Sequence, residues 1–205
     1  MATTTPNYGW PVPTSTDLVK NGATAIEALG DAIDATVFGL PLAALTLISS
    51  TTIGSAVASV SVNDCFSATY TNYLAIVNVN ANSSTDPMYM RMRVSGADSS
   101  ASSYQYAGDN TPGTYDQYTQ ATYGTTAFVW HRYAQGGQSA HIHFFSPFAT
   151  NNTGFNSISN GLGTNARKNT AGGYFDATTS FTGFTIYPAS STMTGGTIKV
   201  YGYKN

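Results

Sequence analysis

The spacing of hydrophobic residues changes near residue 40. Before that point, apolar residues recur at intervals of three and four, as on one face of an α-helix. After it, apolar and polar residues alternate, as in β-strands. The pattern predicts a helix over residues 23–36 in which Thr24 and Glu27 form a capping box. It divides the chain into an N-terminal segment, 1–40, and a C-terminal domain, 42–205.

Alternation predicts eight or nine short strands after residue 45, separated by Gly, Ser, Asn and Pro. In residues 88–94, for example, three methionines and Val94 share one face, while Arg91 and Arg93 lie on the other. Further strands are predicted at residues 45–50, 57–62, 128–133, 140–145, 181–187 and 197–203, and residues 73–79 predict a buried strand. The expected fold is mainly β, a jelly-roll-like antiparallel β-sandwich preceded by a short helix and an extended arm.

The arm, residues 3–14, contains three prolines around Tyr8 and Trp10. Proline restricts the backbone to extended conformations and lacks an N–H donor, so neither a helix nor a central strand is expected there. Two interpretations stay open. The arm is either a loose tail or a strap that docks on a neighbouring subunit through Tyr8 and Trp10.

The predicted helix carries a single narrow apolar stripe of Ile26, Leu29, Ile33 and Val37. Such a stripe suits packing against identical helices around an axis, in a dimer or a trimer. In the alternative interpretation, the helix covers one edge of the domain that follows it.

The composition of the chain excludes several classes of function. The chain has 205 residues, a formal net charge of -2 and only 9% charged residues, so it offers no basic surface for nucleic acid. Its longest apolar run is too short to insert into a membrane, and the lack of a basic N-terminal region predicts no signal peptide. The single cysteine, Cys65, excludes an internal disulfide and is expected to fill core space.

The sequence shows no clear arrangement of catalytic residues. A glycosidase needs two carboxyl groups facing one bond. The only glutamate is Glu27 on the helix, and Asp98, Asp109, Asp116 and Asp176 lie in turn-like contexts where aspartate usually caps the backbone. We therefore expect no enzymatic activity and no cofactor.

Three histidines are weak candidates for a metal site. His141 and His143 lie on one face of a predicted strand, about 7 Å apart. His131 is expected on an adjacent strand, and in a trimer the three could surround a metal ion. Strand histidines that pack against aromatic rings are more common, so no metal site is predicted.

The segment 103–123 interleaves tyrosines with amides and carboxylates. Tyrosine combines a flat apolar face with a hydroxyl group, which suits adhesive surfaces. The pattern predicts a loop that binds a glycan or a protein partner; the alternative is a tyrosine-rich loop buried between protomers. Its candidate binding residues are Tyr104, Tyr106, Asp109, Asn110, Tyr115, Asp116, Tyr118 and Tyr123.

Residues 8–36 resemble the N-terminal segment of many bacteriophage tail-fibre and minor tail proteins, in which a Tyr-Gly-x-Pro arm precedes a turn and an Ala-Ile-rich helix. The matching positions are Pro11, Asp17, Val19, Lys20, Gly22, Ile26, Leu29, Gly30, Ile33 and Asp34. Residues 47–80, with Phe66, Tyr70 and Tyr73, and residues 195–204 are similar to the first and last strands of C-terminal sandwiches in phage fibres. The long shaft that usually separates helix and sandwich is absent.

The resemblance implies a structural protein of the virion, assembled in the host cytoplasm. The expected role is that of a short tail fibre or tail-tip component that attaches to the host surface as a homotrimer. The implied partners are copies of the chain, other virion proteins contacted through the arm and helix, and a host-surface glycan or protein. A capsid decoration or head-fibre protein and a glycan-degrading tail enzyme are the alternatives.

Overall fold

The computed structural model describes residues 3–14, 18–39, 44–112, 117–130, 137–161 and 167–204. The chain divides into two compact units, Met1–Ala44 and Leu45–Asn205. The first unit contains a short hairpin and the helix, and the second contains the sandwich.

The N-terminal arm forms a hairpin. Strand β1 (Thr3–Thr4) pairs antiparallel with β2 (Pro11–Val12). The turn is closed by the N–H of Thr5, which donates to the carbonyl of Trp10 at 2.9 Å, and by the N–H of Gly9, which donates to the carbonyl of Thr5 at 3.0 Å. Residues 3–14 contain neither a helix nor a central strand, as predicted, and proline is tolerated in β2 because it is a short edge strand.

The predicted helix is confirmed, but it is longer than expected. A 3-10 turn, Val19–Asn21, leads directly into α1 (Gly22–Gly39), because Gly22 adopts right-handed helical geometry with φ of -61°. Thr24 therefore lies inside the helix, and the predicted capping box was wrong. No helix among the described residues combines the length and the apolar character that a membrane span requires.

The described residues of the second unit form thirteen strands, each pairing antiparallel with its neighbours. They are β3 (Leu45–Thr52), β4 (Val60–Val62), β5 (Asn72–Asn82), β6 (Met88–Val94), β7 (Ala97–Asp98), β8 (Tyr104–Pro112), β9 (Gln117–Gly124), β10 (Ala127–Trp130), β11 (Gln138–Phe145), β12 (Thr153–Gly161), β13 (Arg167–Phe175), β14 (Gly183–Pro188) and β15 (Met193–Tyr203).

These strands form two sheets. The eight-stranded sheet has the order β3-β15-β5-β11-β12-β13-β8-β9. The five-stranded sheet has the order β10-β6-β14-β4, with β7 paired to β6. The predicted fold class, a mainly β antiparallel sandwich with an N-terminal helix, is confirmed.

The core of the sandwich lies between the two sheets. Met88, Met90 and Met92 are buried on the inner face of β6, as their alternation predicts. Phe66 packs against the rings of Phe144 and Phe184 at centroid distances of 5.1 and 5.9 Å. Cys65 is buried in the same core, which confirms its predicted packing role.

Two pairs of strands and the two-residue β7 were not predicted. The segment 103–123, predicted to be a loop, contributes β8 and β9, and the Ser-, Asn- and Gly-rich residues 153–175 contribute β12 and β13. Few large apolar residues mark these strands, so their alternation is weak along the chain. Backbone pairing with neighbouring strands supplies the order that local hydrophobicity does not predict.

Candidate functional site

The outer face of the eight-stranded sheet presents side chains from several adjacent strands. Alternation along β11 turns Ala140, Ile142 and Phe144 into the core, so the residues between them point outward. The described outward residues of five adjacent strands define this face: Leu74, Ile76, Asn78, Ser139, His141, His143, Phe145, Asn156, Ile158, Asn160, Lys168, Thr170, Tyr174, Lys199, Tyr201 and Tyr203.

Register places these side chains in rows. Leu74 of β5 pairs with Tyr201 on one side and with His143 on the other. In the next row, His141 pairs with Ile76 and with Ile158. Each row therefore mixes aromatic or aliphatic surface with imidazole or amide groups.

His143 is held by aromatic neighbours. Its Nδ1 lies 3.0 Å from the hydroxyl of Tyr203, and the two rings stack with centroids 6.0 Å apart. The ring of Phe145 also stacks with the ring of His143, at a centroid distance of 6.5 Å. Burial lowers the pKa of His143, and the nearby His141 lowers it further. This arrangement is the aromatic packing that was the alternative to metal binding.

The described residues hold no group of three or more His, Cys, Asp or Glu side chains that could bind a metal ion. His141 and His143 do share one face, as predicted, but His131 lies outside the described residues.

An open depression of about 530 Å³ lies on the same face. Its polar lining comes from Asn78, Ser139 and Asn160, with Lys168 at one side. Ile158 contributes apolar surface and is 53% exposed. Amide and hydroxyl groups beside apolar surface suit either a polar ligand or a second protein surface.

The outer face is poor in charge. Among its described side chains, only Lys168 and Lys199 are charged. Phe145 and Ile158 are exposed, and so is Leu47, which pairs with Tyr201 at the adjoining edge strand. Depletion of charge together with exposed aromatic and aliphatic groups is typical of the centre of a protein interface.

Tyr104 does not contribute to any surface. Its side chain is 1% exposed, and its hydroxyl accepts the N–H of Met92 at 2.9 Å and donates to the carbonyl of Ser99 at 3.0 Å. Burial raises its pKa to about 12. The prediction that Tyr104 binds a ligand was wrong because the alternation of β8 turns it into the core.

The other residues of the tyrosine-rich segment have different outcomes. Tyr106 is partly buried and packs against the core. Tyr115 and Asp116 lie outside the described residues. For Asp109, Asn110, Tyr118 and Tyr123, the backbone lies in β8 and β9, whose pairing is described, but their side chains are not. For these four residues, and for Tyr115 and Asp116, the binding role stays a prediction.

The helix stripe is exposed. None of the residues of α1 is buried within the described structure. Ile26 is 66% exposed, Val37 is also exposed, and Leu29 and Ile33 are partly exposed. Phe38, which was not predicted to belong to the stripe, is 90% exposed near the end of the helix. Within the first unit the stripe is not fully covered, and its packing against identical helices stays a prediction.

The arm is not a loose tail. The indole Nε1–H of Trp10 donates to the hydroxyl of Thr36 on α1 at 2.9 Å, and that hydroxyl donates to the carbonyl of Ala32 at 2.8 Å. Tyr8 stacks on Trp10 at 5.2 Å and is exposed. Trp10 thus fastens the arm to its own helix, and docking on a neighbouring subunit stays a prediction for Tyr8.

Two of the aspartates considered for catalysis have structural partners. Asp98 forms an ion pair with Arg93 and accepts a hydrogen bond from the hydroxyl of Thr185 at 2.6 Å. Asp176 accepts hydrogen bonds from the side-chain amides of Gln105 and Asn152 at 3.2 and 3.3 Å. Each carboxylate therefore organises the strands around it.

The sequence did not single out Tyr201 and Tyr203 as members of a functional surface. The sequence signal that could have identified them is the alternation of the last strand, which places both tyrosines on the same side as Lys199.

Comparison with protein-family models and with curated proteins finds no match for this chain.

Proposed function

We propose that this chain is a structural, non-enzymatic protein of a bacteriophage virion, a short tail fibre or tail-tip component that attaches the particle to the host surface as a homotrimer. One observation carries the proposal. Helix α1 buries none of its residues in the single chain, although one side of it carries Ile26, Ile33 and Val37. An apolar stripe on a surface helix is normally covered, and copies of the same stripe around an axis would cover it.

The hairpin and helix supply the anchor. The Trp10–Thr36 hydrogen bond holds the arm on the helix, so Tyr8 is presented on a supported surface. In the proposed assembly, the exposed Tyr8 ring and the arm contact other virion proteins. The helix stripe joins the copies to one another.

The sandwich supplies the contact surface. Its outer face has the low charge and the exposed apolar groups that permit packing between subunits or weak adhesion. Repetition by oligomer symmetry converts weak individual contacts into strong attachment, because the second contact is made at high effective concentration.

Light scattering of the purified chain tests the assembly. We expect a trimer that Ile33→Asp converts to monomers. Ala35→Asp is the matched control, because Ala35 is exposed on the opposite side of the helix and should leave the trimer intact. A wild-type monomer, or an Ile33→Asp variant of unchanged mass, would contradict assembly through the stripe.

Capsid decoration is the second candidate. Only residues 40–44 separate the end of α1 from the start of β3, so the sequence leaves no room for a shaft. Electron microscopy of particles carrying a labelled copy distinguishes the two: label at the tail tip supports the fibre, and label over the shell supports decoration. Absence of the protein from purified particles contradicts both.

The enzymatic alternative has a separate test. We expect no turnover when the purified chain is incubated with host-surface polysaccharide. Turnover that Asp109→Ala or Asp116→Ala abolishes would establish a glycan-degrading enzyme and overturn the non-enzymatic proposal.

A further inference from the structure

A cleft of about 410 Å³ lies beside the ends of β5 and β11. It is formed by the connection that precedes β5 and by the turn that follows β11, which meet because the two strands are antiparallel neighbours. Two aromatic residues and four hydroxyl-bearing residues line it together with two alanines: Tyr70, Phe148, Ser67, Thr71, Ser146 and Thr150. We call it the Tyr70 cleft.

Hydrogen bonds hold both walls of the cleft in place. The N–H of Ser146 donates to the carbonyl of Thr71 at 2.9 Å and joins one wall to the other. The hydroxyl of the buried Tyr73 accepts the N–H of Ser67 at 2.8 Å and donates to its carbonyl at 2.7 Å. A ligand would therefore meet a preformed cleft, without the cost of ordering a loop.

The ring of Tyr70 forms a supported aromatic platform. It lies so close to the backbone of Gly202 that a Cβ added there would come within 2.5 Å of the ring. Tyr73 supports the ring from the side, edge-on, at a centroid distance of 6.0 Å. The Tyr70 side chain is nevertheless partly exposed, as is Phe148.

The lining determines the class of ligand. None of the described residues that line the cleft is charged, which favours a neutral ligand over an acidic or basic one. A pyranose ring presents C–H groups that pack on an aromatic face, and its hydroxyls match serine and threonine hydroxyls on the rim. The volume lies within the range of about 300–1,000 Å³ that small-molecule sites occupy.

We propose that the Tyr70 cleft binds a neutral hexopyranose unit of a host-surface glycan. The host-surface source of this ligand rests on the proposed attachment function, whereas recognition of the sugar rests on the cleft alone. The pyranose stacks on Tyr70 and Phe148, and the rim hydroxyls bond its equatorial hydroxyls. Oligomer symmetry repeats the cleft, so millimolar affinity at one cleft is sufficient for adhesion.

Saturation-transfer NMR on the full chain tests the proposal, with glucose, galactose, mannose, rhamnose and N-acetylglucosamine as probes. At least one of these sugars should give transfer. Ala149→Trp, which fills the cleft from an exposed position, should reduce the affinity about tenfold or more. Ala101→Trp is the matched control: it adds the same bulk at another exposed alanine and should leave binding unchanged.

Tyr70→Leu provides the second variant, because it removes the aromatic face and keeps apolar bulk beside Gly202. We expect it to weaken sugar binding about tenfold or more, and thermal unfolding checks that the variant is folded. No transfer to any of the five sugars, or equal binding by the wild type and Ala149→Trp, overturns the proposal.

The two proposals fail separately. Sugar binding is measured on the isolated chain, so its absence overturns the ligand assignment but leaves a protein located on the virion in place. Absence from purified particles overturns the attachment function, but a sugar-binding cleft blocked by Ala149→Trp would stand.

Discussion

The hydroxyl of Tyr203 lies 3.0 Å from Nδ1 of His143, and this contact spans β5, the strand between them. Stacking of the two rings and of Phe145 gives the outer face a supported aromatic patch. The contact joins positions 60 residues apart in the chain. It links the stability of this face to the protonation state of one histidine.

Acidification should destabilise the sandwich through His143. Its pKa in the folded chain lies below the ordinary value of 6.5, because burial and then the nearby His141 disfavour the charged form. The unfolded chain therefore binds the proton more tightly. The stabilising contribution is complete above pH 6.5 and is lost as the pH falls through the lower, folded-state pKa.

NMR titration of the His143 ring measures this pKa directly, and denaturant unfolding between about pH 8 and about pH 5 measures its effect on stability. His141→Asn should raise the pKa of His143, since it removes a neighbouring positive charge. A wild-type His143 that titrates at or above 6.5 would contradict the expectation.

Tyr104→Phe should cost about 1–3 kcal/mol of unfolding free energy. The substitution keeps the buried ring, which packs edge-on against Phe175 at 4.9 Å, but leaves the N–H of Met92 and the carbonyl of Ser99 without their hydroxyl partner. Urea denaturation measures the loss. Tyr174→Phe, at an exposed position, should change the stability by no more than about 0.5 kcal/mol. Equal effects of the two substitutions would mean that the buried hydroxyl contributes nothing.

Gly173→Ala should destabilise the sandwich by about 3 kcal/mol or more. An added Cβ would lie 2.0 Å from the backbone carbonyl oxygen of Gln105, so β8 and β13 would have to separate. Gly172→Ala is the matched control, because the nearest atom to its Cβ, the carbonyl oxygen of Phe155, is at an ordinary 3.5 Å. Chemical denaturation of both variants checks the difference, and similar midpoints would refute the close approach.

Cys65 should resist thiol reagents in the folded chain. It is buried in the core, and burial raises its pKa to about 12, so almost no thiolate is present at neutral pH. Reaction with a chromogenic disulfide reagent should therefore require unfolding and should become complete in denaturant. Rapid labelling of the native chain would show that the core opens readily at this position.

Where large apolar residues alternate or recur at helical spacing, the local sequence pattern predicted the secondary structure and the buried face correctly. The helix, the inward methionines of β6 and the buried Cys65 were all predicted from neighbouring residues. The helix boundary was missed because Gly22 adopts helical geometry, although glycine more often interrupts a helix. The hairpin in the arm was missed because prolines conceal a two-residue edge strand.

Tertiary structure alone decided which polar residues are buried and which meet on a surface. Tyr104 looked like a surface residue within a polar segment, but pairing of β8 with β13 turns it inward. Likewise, Tyr70 and Phe148 share a cleft only because antiparallel pairing of β5 with β11 brings their flanking turns together. Alternation specifies which residues share a face of one strand; it contains no information on which strands become neighbours, because that depends on register and burial across the whole sheet.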